Sequence, residues 1–393
     1  MVVLGFSHPT ALGIVRCLRD LKKRGVKIWI IGNEIKRGAA YYSNIPHKKI
    51  IFDHNVNVVD FLKNNRHLFD DNPALYLSTD QQAVEISERR KELEGLYEIL
   101  LPDNDLLTNF MEKSKFQITA EENNWPVPKS IIIKNSDDLR HIHEYISYPF
   151  IVKPYLVHSK KICNDSELER YIQELEDFRY KSMLVQEWIN GDDTDVYVEL
   201  TLSNKNSELI ASVSARKIKQ YPTLYGTTTS CVGRNNPETK SLTKEILNKV
   251  QMVGYCGLEY KYDQHRGKYY IMEPTIGRWD AQIVLTQATG VNLPILMFEI
   301  LNGRDRPDTG EQRNNVYWID EFRERQVRKE TNENKYWYIF KKNRVNVFFD
   351  IRDPAPYIRY YLNIKMQIYK WKKNRLLRFL KNPFKYIKRL NIE

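Results

Sequence analysis

The chain has 393 residues and a mass of 46.8 kDa, more than one ordinary hydrophobic core holds, so two or three domains are expected. With 42% apolar and 28% charged residues, disordered and fibrous classes are excluded, and no run approaches the ~18 uninterrupted apolar residues of a membrane-spanning helix. Of the net charge of +11, +10 belongs to residues 357–393, with eleven Lys or Arg against one acid. The body is nearly neutral, which argues against a surface that tracks nucleic-acid phosphates. Cys17, Cys163, Cys231 and Cys256 are widely spaced and never form CxxC. That excludes a disulfide scaffold or zinc ribbon and fits a reducing cytoplasm. The start, MVVLGFSHPT, lacks the basic and long apolar regions of a secretory signal.

In chain order, Val2-Val3-Leu4 reads as a strand, followed by Gly5 and a small-residue turn through Pro9. Leu12, Val15, Leu18 and Leu21 share one face of a helix expected from Thr10 to Gly25. Lys27 to Ile31 and Ala74 to Leu77 read as further strands, the second ending in Ser78-Thr79-Asp80. This alternation predicts a parallel sheet with helices on both faces. The glycine turn is not GxGxxG, so dinucleotide binding is not inferred from it. From Asp105 to Asn124 an amphipathic helix is expected, stopping at Trp125-Pro126-Val127-Pro128. Strand Ile131 to Ile133, a helix from Ser136 and Asp137 to Ile146, and strand Tyr148 to Pro154 follow. Then come a helix over Ser166 to Phe178, strand Met183 to Ile189, and period-2 strands near 195–202 and 208–216. After a helix over Pro237 to Val253, Gly257 to Asp263 and Lys268 to Glu273 form a hairpin across Gln264-His265-Arg266-Gly267. This half is α+β with antiparallel pairing, without internal repeats.

Four features carry chemistry. Lys153 ends an apolar strand, so its ammonium sits at a sheet rim where it meets phosphate as a point charge; a solvated edge lysine explains the same residue. Gln186-Glu187-Trp188-Ile189 runs into Asn190-Gly191-Asp192-Asp193, a hinge whose backbone suits a purine edge, with an acid in reach of a ribose; an acidic turn is the plainer account. Pairing the hairpin about its centre sets Glu259 opposite 272 or 273, so Glu259 and Glu273 converge. Two like charges that close need a cation, and sparse oxygen ligation suits Mg²⁺, which completes its octahedron with phosphates and water. Surface glutamates are the alternative. Arg278 and Arg216-Lys217 are candidate clamps for a phosphoryl group or a carboxylate, or else solvated basic residues. His141 and His143 form no metal pair, and HExxH and GxSxG are absent.

Taken in order, these segments resemble the ATP-grasp superfamily, and more narrowly its carboxylate–amine ligase branch related to D-aspartate ligases. The resemblance covers residues 1–303 and rests on Leu12-Gly13-Ile14-Val15-Arg16, Met111-Glu112-Lys113-Ser114-Lys115-Phe116, Pro149 to Pro154, Gln186 to Ile189, Arg216 to Pro222, Gly257 to Asp263 and, most specifically, Glu273-Pro274-Thr275-Ile276-Gly277-Arg278. It implies an α/β and α+β protein: a pre-ATP-grasp, Rossmann-like domain over 1–104, an ATP-grasp domain over 105–303 with a lid at about 125–188, and a C-terminal extension over 304–393. It further implies that Lys113 and Lys153 contact ATP phosphates, that Gln186, Glu187, Trp188 and Ile189 hold adenine, and that Asp193 (or Asp192) holds the ribose. Glu259 and Glu273 would hold Mg²⁺, and Arg216 or Lys217, with Arg278, would stabilise the phosphoryl group and acyl intermediate. Thr275 stands where the superfamily often has Asn as a further ligand. The loop after Lys153 lacks the usual glycines, so Lys160 and Lys161 are expected to replace its backbone cradle.

Tyr357, Tyr361, Ile364, Ile368 and Trp371 recur at helical spacing among Lys365, Lys370, Lys372, Lys373, Arg375 and Arg378, and Pro383 ends the run. This basic amphipathic helix suits an anionic membrane surface; packing on its own domain, or on a second subunit of a homodimer, explains the same stripe. The expected function is ATP-dependent joining of a small-molecule or lipid-linked carboxylate to an amine through an acyl phosphate. A cell-surface glycan or cell-wall precursor at the cytoplasmic face is the expected setting. The alternatives are a kinase acting on a non-carboxylate acceptor, and a non-catalytic nucleotide-binding module or membrane scaffold.

Overall fold

The structure is a computed structural model that describes residues 1–6, 9–33, 38–134, 136–154, 159–176, 183–223, 226–331 and 341–362. Among these residues the strands form three sheets. The first contains β1 (Val2–Leu4), β2 (Trp29–Gly32), β3 (Lys48–Ile51) and β4 (Leu75–Tyr76), all parallel, in the order β3-β2-β1-β4. Its helices are α1 (Pro9–Cys17), α2 (Arg19–Lys23), α3 (Val58–Asn64) and α4 (Asp80–Glu88). The expected parallel sheet is present. β3 was not foreseen, because Lys48-Lys49-Ile50-Ile51 is an exposed, half-charged edge. The helix expected from Thr10 to Gly25 breaks at Leu18 into α1 and α2.

The helix expected over Asp105 to Asn124 is also two: α5 (Asn104–Met111) and α6 (Lys113–Glu122). Glu112 between them is extended, with ψ 115°. That break places Lys113 at the first position of α6. The second sheet is antiparallel, with β5 (Ser130–Ile133), β6 (Phe150–Pro154), β7 (Lys160–Ile162) and β8 (Met183–Glu187) in the order β5-β8-β6-β7. Alternation sends Phe150, Val152, Ile162, Met183 and Val185 into a core with α7 (Ser136–Arg140) and α8 (Asp165–Glu176). The helix expected to reach Ile146 ends at Arg140, followed by a single turn over Ile142–Glu144. The other face of the sheet presents Ile151, Lys153, Lys161, Leu184 and Gln186.

The third sheet contains β9 (Val196–Ser203), β10 (Leu209–Tyr221), β11 (Thr227–Gly233), β12 (Gly254–Asp263), β13 (Lys268–Ile276), β14 (Val316–Ile319) and β15 (Arg344–Asn346), in the order β13-β12-β9-β10-β11-β14-β15. β10 continues past the expected end at Arg216, and β11, β14 and β15 were not foreseen. α9 (Pro237–Lys249) packs on β9 and β10. The opposite face shares one apolar core with α1, α10 (Ile283–Thr289) and α11 (Leu293–Leu301), including Leu12, Ile14, Leu200, Val213, Ile283 and Trp318. No single helix among the described residues is long and apolar enough to cross a membrane.

After α12 (Glu321–Thr331), residues 341–362 return to the N-terminal sheet. Arg16, 2% exposed, donates to the carbonyls of Val347 and Phe348 (both 2.7 Å) and lies 3.5 Å from the Asp353 carboxylate. Asp353 also accepts from Ser43 Oγ and the Asn44 N–H (both 2.9 Å). Replacing one member of such a buried network strands the rest without water. Arg16→Leu is therefore expected to destabilise the protein by about 3–5 kcal/mol, read as a shift in the urea midpoint.

Candidate functional site: a carboxylate pair ringed by lysines

β12 and β13 pair with Glu259 directly opposite Glu273. Directly opposed residues carry their side chains on one face, so the two carboxylates meet at the sheet surface. Lysines from separate elements surround them. Lys217 Nζ on β10 is 3.0 Å from Glu259 Oε2, and Lys113 Nζ at the start of α6 is 3.5 Å from Glu273 Oε1. Lys153 on β6 donates to Gln186 Oε1 at 2.7 Å. Loss of solvent lowers the Lys153 ammonium to about 8, with Lys113 adding to the effect and Glu273 and Glu259 opposing it. The rim lysine of the second sheet thus feels both hairpin carboxylates.

The Lys153 ammonium is the form that meets phosphate, and in the free protein it is lost as pH rises through about 8. We expect kcat/KM for ATP to fall above that pH. Bound phosphates favour the ammonium, so ATP binding at pH 8.5 to 9 takes up a proton, measurable by calorimetry in buffers of different ionisation enthalpy.

Strand alternation separates Arg216 from Lys217. Lys217 faces Glu259; Arg216 lies on the opposite face, level with Tyr197 on β9, and its Nε is buried without a hydrogen-bond partner. Of these two candidate clamps, only Lys217 reaches the carboxylates. The same rule divides Lys160 from Lys161 on β7. Lys160 turns to the α8 side, 2.7 Å from Glu174 and 5.0 Å from the Tyr171 ring, and does not take the place of the phosphate cradle. Lys161 sits 4.0 Å from the Trp188 ring centroid, and Lys261 4.6 Å from it. Residues 155–158 of the intervening loop lie outside the described residues.

In the hinge, Ile189 is buried and the Trp188 N–H donates to the Pro149 carbonyl at 3.3 Å. The Glu187 carboxylate is already engaged by Arg266 (2.6 and 3.0 Å) and by the Lys129 N–H (2.9 Å), so what Glu187 offers a ligand is backbone. Asp192 accepts from Thr194 N and Oγ1, acting as a cap. Asp193 accepts from Gln220 Nε2 at 2.7 Å, and Gln220 in turn accepts from Lys217 at 3.0 Å.

Arg278 donates to Asp80 (2.7 Å), at the start of α4, and to Asp280 (3.0 Å). Burial works against its charge, but Asp280 and Asp80 outweigh that and raise its pKa. Asp280, raised by burial, also accepts from Tyr255 Oη at 3.0 Å. A Cβ on Gly257 would lie 2.7 Å from Asp280 Oδ2, so a side chain here would push the buried Asp280 carboxylate out of place. Thr275 pairs with Gly257 and lies on the Glu273 side of β13. Asp80, Asp280, Tyr255, Gln220 and Lys261 were not identified in the sequence as site residues. The one local signal was Asp280 two places after Arg278.

No group of three or more His, Cys, Asp or Glu able to hold a metal occurs among the described residues. The donor set is two facing carboxylates on an open sheet face, which fits an ion that takes its remaining ligands from phosphate and water.

No family model matches the sequence. The chain is similar to a D-aspartate ligase of Enterococcus faecium (strain Aus0004), 23% identical over 276 residues, covering 64% of this chain and 65% of that protein. It is also similar to the arginine-specific large chain of carbamoyl phosphate synthase of Bacillus subtilis (strain 168), 27% identical over 221 residues, covering 53% of this chain and 21% of that protein. The chain thus spans less than two thirds of the length of these curated relatives. In fold it resembles N5-carboxyaminoimidazole synthetase from Staphylococcus aureus complexed with ADP, with a TM-score of 0.64, 13% identity and 86% of each chain covered. It also resembles the biotin carboxylase domain of Hydrogenobacter thermophilus 2-oxoglutarate carboxylase in complex with MgADP, ADP and bicarbonate, with a TM-score of 0.62, 16% identity, and 80% and 72% of the chains covered. The three sheets in this arrangement, with a paired-glutamate hairpin facing a lysine-rimmed sheet, match these solved structures, so the chain has an ATP-grasp fold and is similar in sequence to a D-aspartate ligase.

Proposed function

We propose that the protein is an ATP-dependent ligase that joins a carboxylate to an amine through an acyl phosphate. The observation that carries this reading is the Glu259–Glu273 register, with Lys113, Lys153 and Lys217 gathered round it. Carboxylates that converge among ammonium groups suit a bound polyphosphate and its cation.

In the proposed reaction a substrate carboxylate oxygen attacks the γ-phosphorus of ATP, the bond to the bridging oxygen breaks, and ADP leaves. The amine nitrogen then attacks the acyl carbon. A tetrahedral oxyanion forms, the nitrogen loses a proton, and phosphate departs. Such chemistry needs positioning and cationic stabilisation more than a nucleophilic side chain. Lys113 and Lys153 hold phosphate oxygens, and Gln186 to Ile189 receive the adenine with Asp193 at the ribose. Lys217 stands by the transferring group, and Arg278, oriented by Asp80 and Asp280, receives the acid or the oxyanion. Glu259 and Glu273, with Thr275 nearby, would hold Mg²⁺, which would supply charge neutralisation at the phosphates.

The division into 1–104, 105–303 and an extension belongs to the same proposal. So does the finer reading that the acid is borne on a cell-surface glycan or cell-wall precursor; the charge of the tail supports it, and no described residue reads out that substrate. The test incubates the full chain with ATP, Mg²⁺ and a panel of amino acids and sugar acids. ADP and phosphate released only when acid and amine are both present support a ligase. A phosphorylated acceptor with no free phosphate supports a kinase, and nucleotide binding without turnover of any acceptor supports the non-catalytic scaffold.

A further inference from the structure

We propose that the surface built by residues 349–362 docks the protein on an anionic phospholipid membrane. Phe349, Ile351, Ile358 and Leu362 are 45%, 82%, 51% and 46% exposed, a concentration of large exposed apolar side chains in one short segment. Exposed apolar groups gathered in this way mark a surface that meets an apolar partner.

The display is held in place. The Glu321 carboxylate accepts the N–H groups of Phe348 (3.1 Å) and Phe349 (2.8 Å), and Arg19 pairs with Asp350 at 2.8 Å. Asp353 is fixed by Arg16, Ser43 and Asn44. Ile351 therefore stands at the tip of a turn anchored on both sides. Over residues 355–362 the chain is helical, and Tyr357 and Tyr360 turn inward: Tyr357 stacks on Phe322 at 5.7 Å and Tyr360 on Phe348 at 4.7 Å. Tyr361 also stacks toward Phe322 at 6.4 Å. The stripe read from the sequence thus begins by packing on the body, and its later members, Ile364, Ile368 and Trp371, lie outside the described residues. The outward row is the adjacent one, Ile358 and Leu362, four residues apart on one face.

Charge selects the partner. Arg352 and Arg359 are exposed among these apolar side chains; Asp350, shared between Arg19 and Arg352 (3.4 Å), is partly buried, and Asp353 faces the body. Residues 363–393, which continue directly from Leu362, contain ten Lys or Arg and one acid. A second copy of the chain on this face would bring Arg352 and Arg359 of both copies together, a like-charge contact that costs affinity. Phosphates of RNA would satisfy the arginines but leave three aliphatic side chains without a stacking or polar role. An anionic bilayer meets both needs: aliphatic tips enter the interface and cations remain among the headgroups.

The test is co-sedimentation of the full chain, without nucleotide, with vesicles of phosphatidylcholine alone and of phosphatidylcholine with about one third phosphatidylglycerol. The chain is expected to pellet with the anionic vesicles alone. A triple variant, Ile351→Ser, Ile358→Ser and Leu362→Ser, keeps every charge and is expected to lose at least about tenfold in partitioning. Ile351→Asp, at an exposed turn tip where folding is not at stake, should move the same way. Several results would overturn the proposal: no pelleting of the parent, equal pelleting of parent and triple variant, a dimer that the triple variant dissolves, or RNA binding that the triple variant loses. Because nucleotide is absent, failure here leaves the ligase reading standing, and failure of the ligase assay leaves this one standing.

Discussion

Glu273→Gln is expected to lower kcat by at least about a thousandfold while leaving the protein folded. Gln matches Glu in shape, so β13 keeps its backbone pairing and Glu259 keeps Lys217. What is lost is the negative charge of one of the two facing carboxylates that would hold a cation. The side chain is 55% exposed and its contact with Lys113 is 3.5 Å long, so the stability change should stay below about 1 kcal/mol. Glu259→Gln is less clean, because it strips the counter-charge from Lys217, whose side chain is only 5% exposed. ADP release against Mg²⁺ concentration, together with thermal melting, reads both effects. Full activity in the Glu273 variant would remove the cation assignment.

Lys153→Met should reduce kcat/KM for ATP by about a hundredfold to a thousandfold, yet not destabilise the fold. The sign follows from the lysine's surroundings. Its folded-state pKa is lowered to about 8 from 10.5, chiefly by loss of solvent. Below pH 8 both folded and unfolded forms carry the proton, and the folded form bears the full cost of that charge, up to about 3 kcal/mol. As pH rises from 8 toward 10.5 the folded form sheds the proton first and the cost fades. A methionine of similar length avoids the cost, offset in part by leaving Gln186 Oε1 without its donor. The variant should therefore melt at or above the parent at pH 7, with any advantage shrinking toward pH 10. A large loss of stability at pH 7 would contradict the placement of this lysine at a desolvated rim.

The expected contrast, stability kept or raised while activity falls, would mark a residue placed for a ligand and not for the fold. Lys153 is held against its own solvation preference, and its hydrogen bond to Gln186 with the attraction of Glu273 and Glu259 offsets only part of that cost, an arrangement that a bound polyanion would relieve.

The hairpin was legible because its pairing is local. Four residues separate Asp263 from Lys268, and counting outward from that turn brings Glu259 within one place of the Glu273 register that the structure shows. Three strands of the first parallel sheet, β1, β2 and β4, were legible as short apolar runs, whereas the exposed, half-charged edge strand β3 was not. Local pattern failed where an extended residue interrupts a continuous helical stripe. Glu112 divides α5 from α6 with no proline or glycine to announce it, and Lys113 owes its position beside Glu273 to that break.

The sequence by itself determined which residue types stand at which spacing: the strand rim with Lys153, the acids of the hairpin, the basic C-terminal run. These follow from neighbours within a few residues, and backbone periodicity carries such information directly. Tertiary structure alone decided which of two adjacent basic residues faces the carboxylates, since Arg216 and Lys217 differ only by the side of β10 that each occupies. It also decided that Arg278 is oriented by Asp80, from a different sheet's helix, and that residues 341–362 close on Arg16. Contacts over such separations are set by how whole layers pack, and no local stretch of sequence contains both partners.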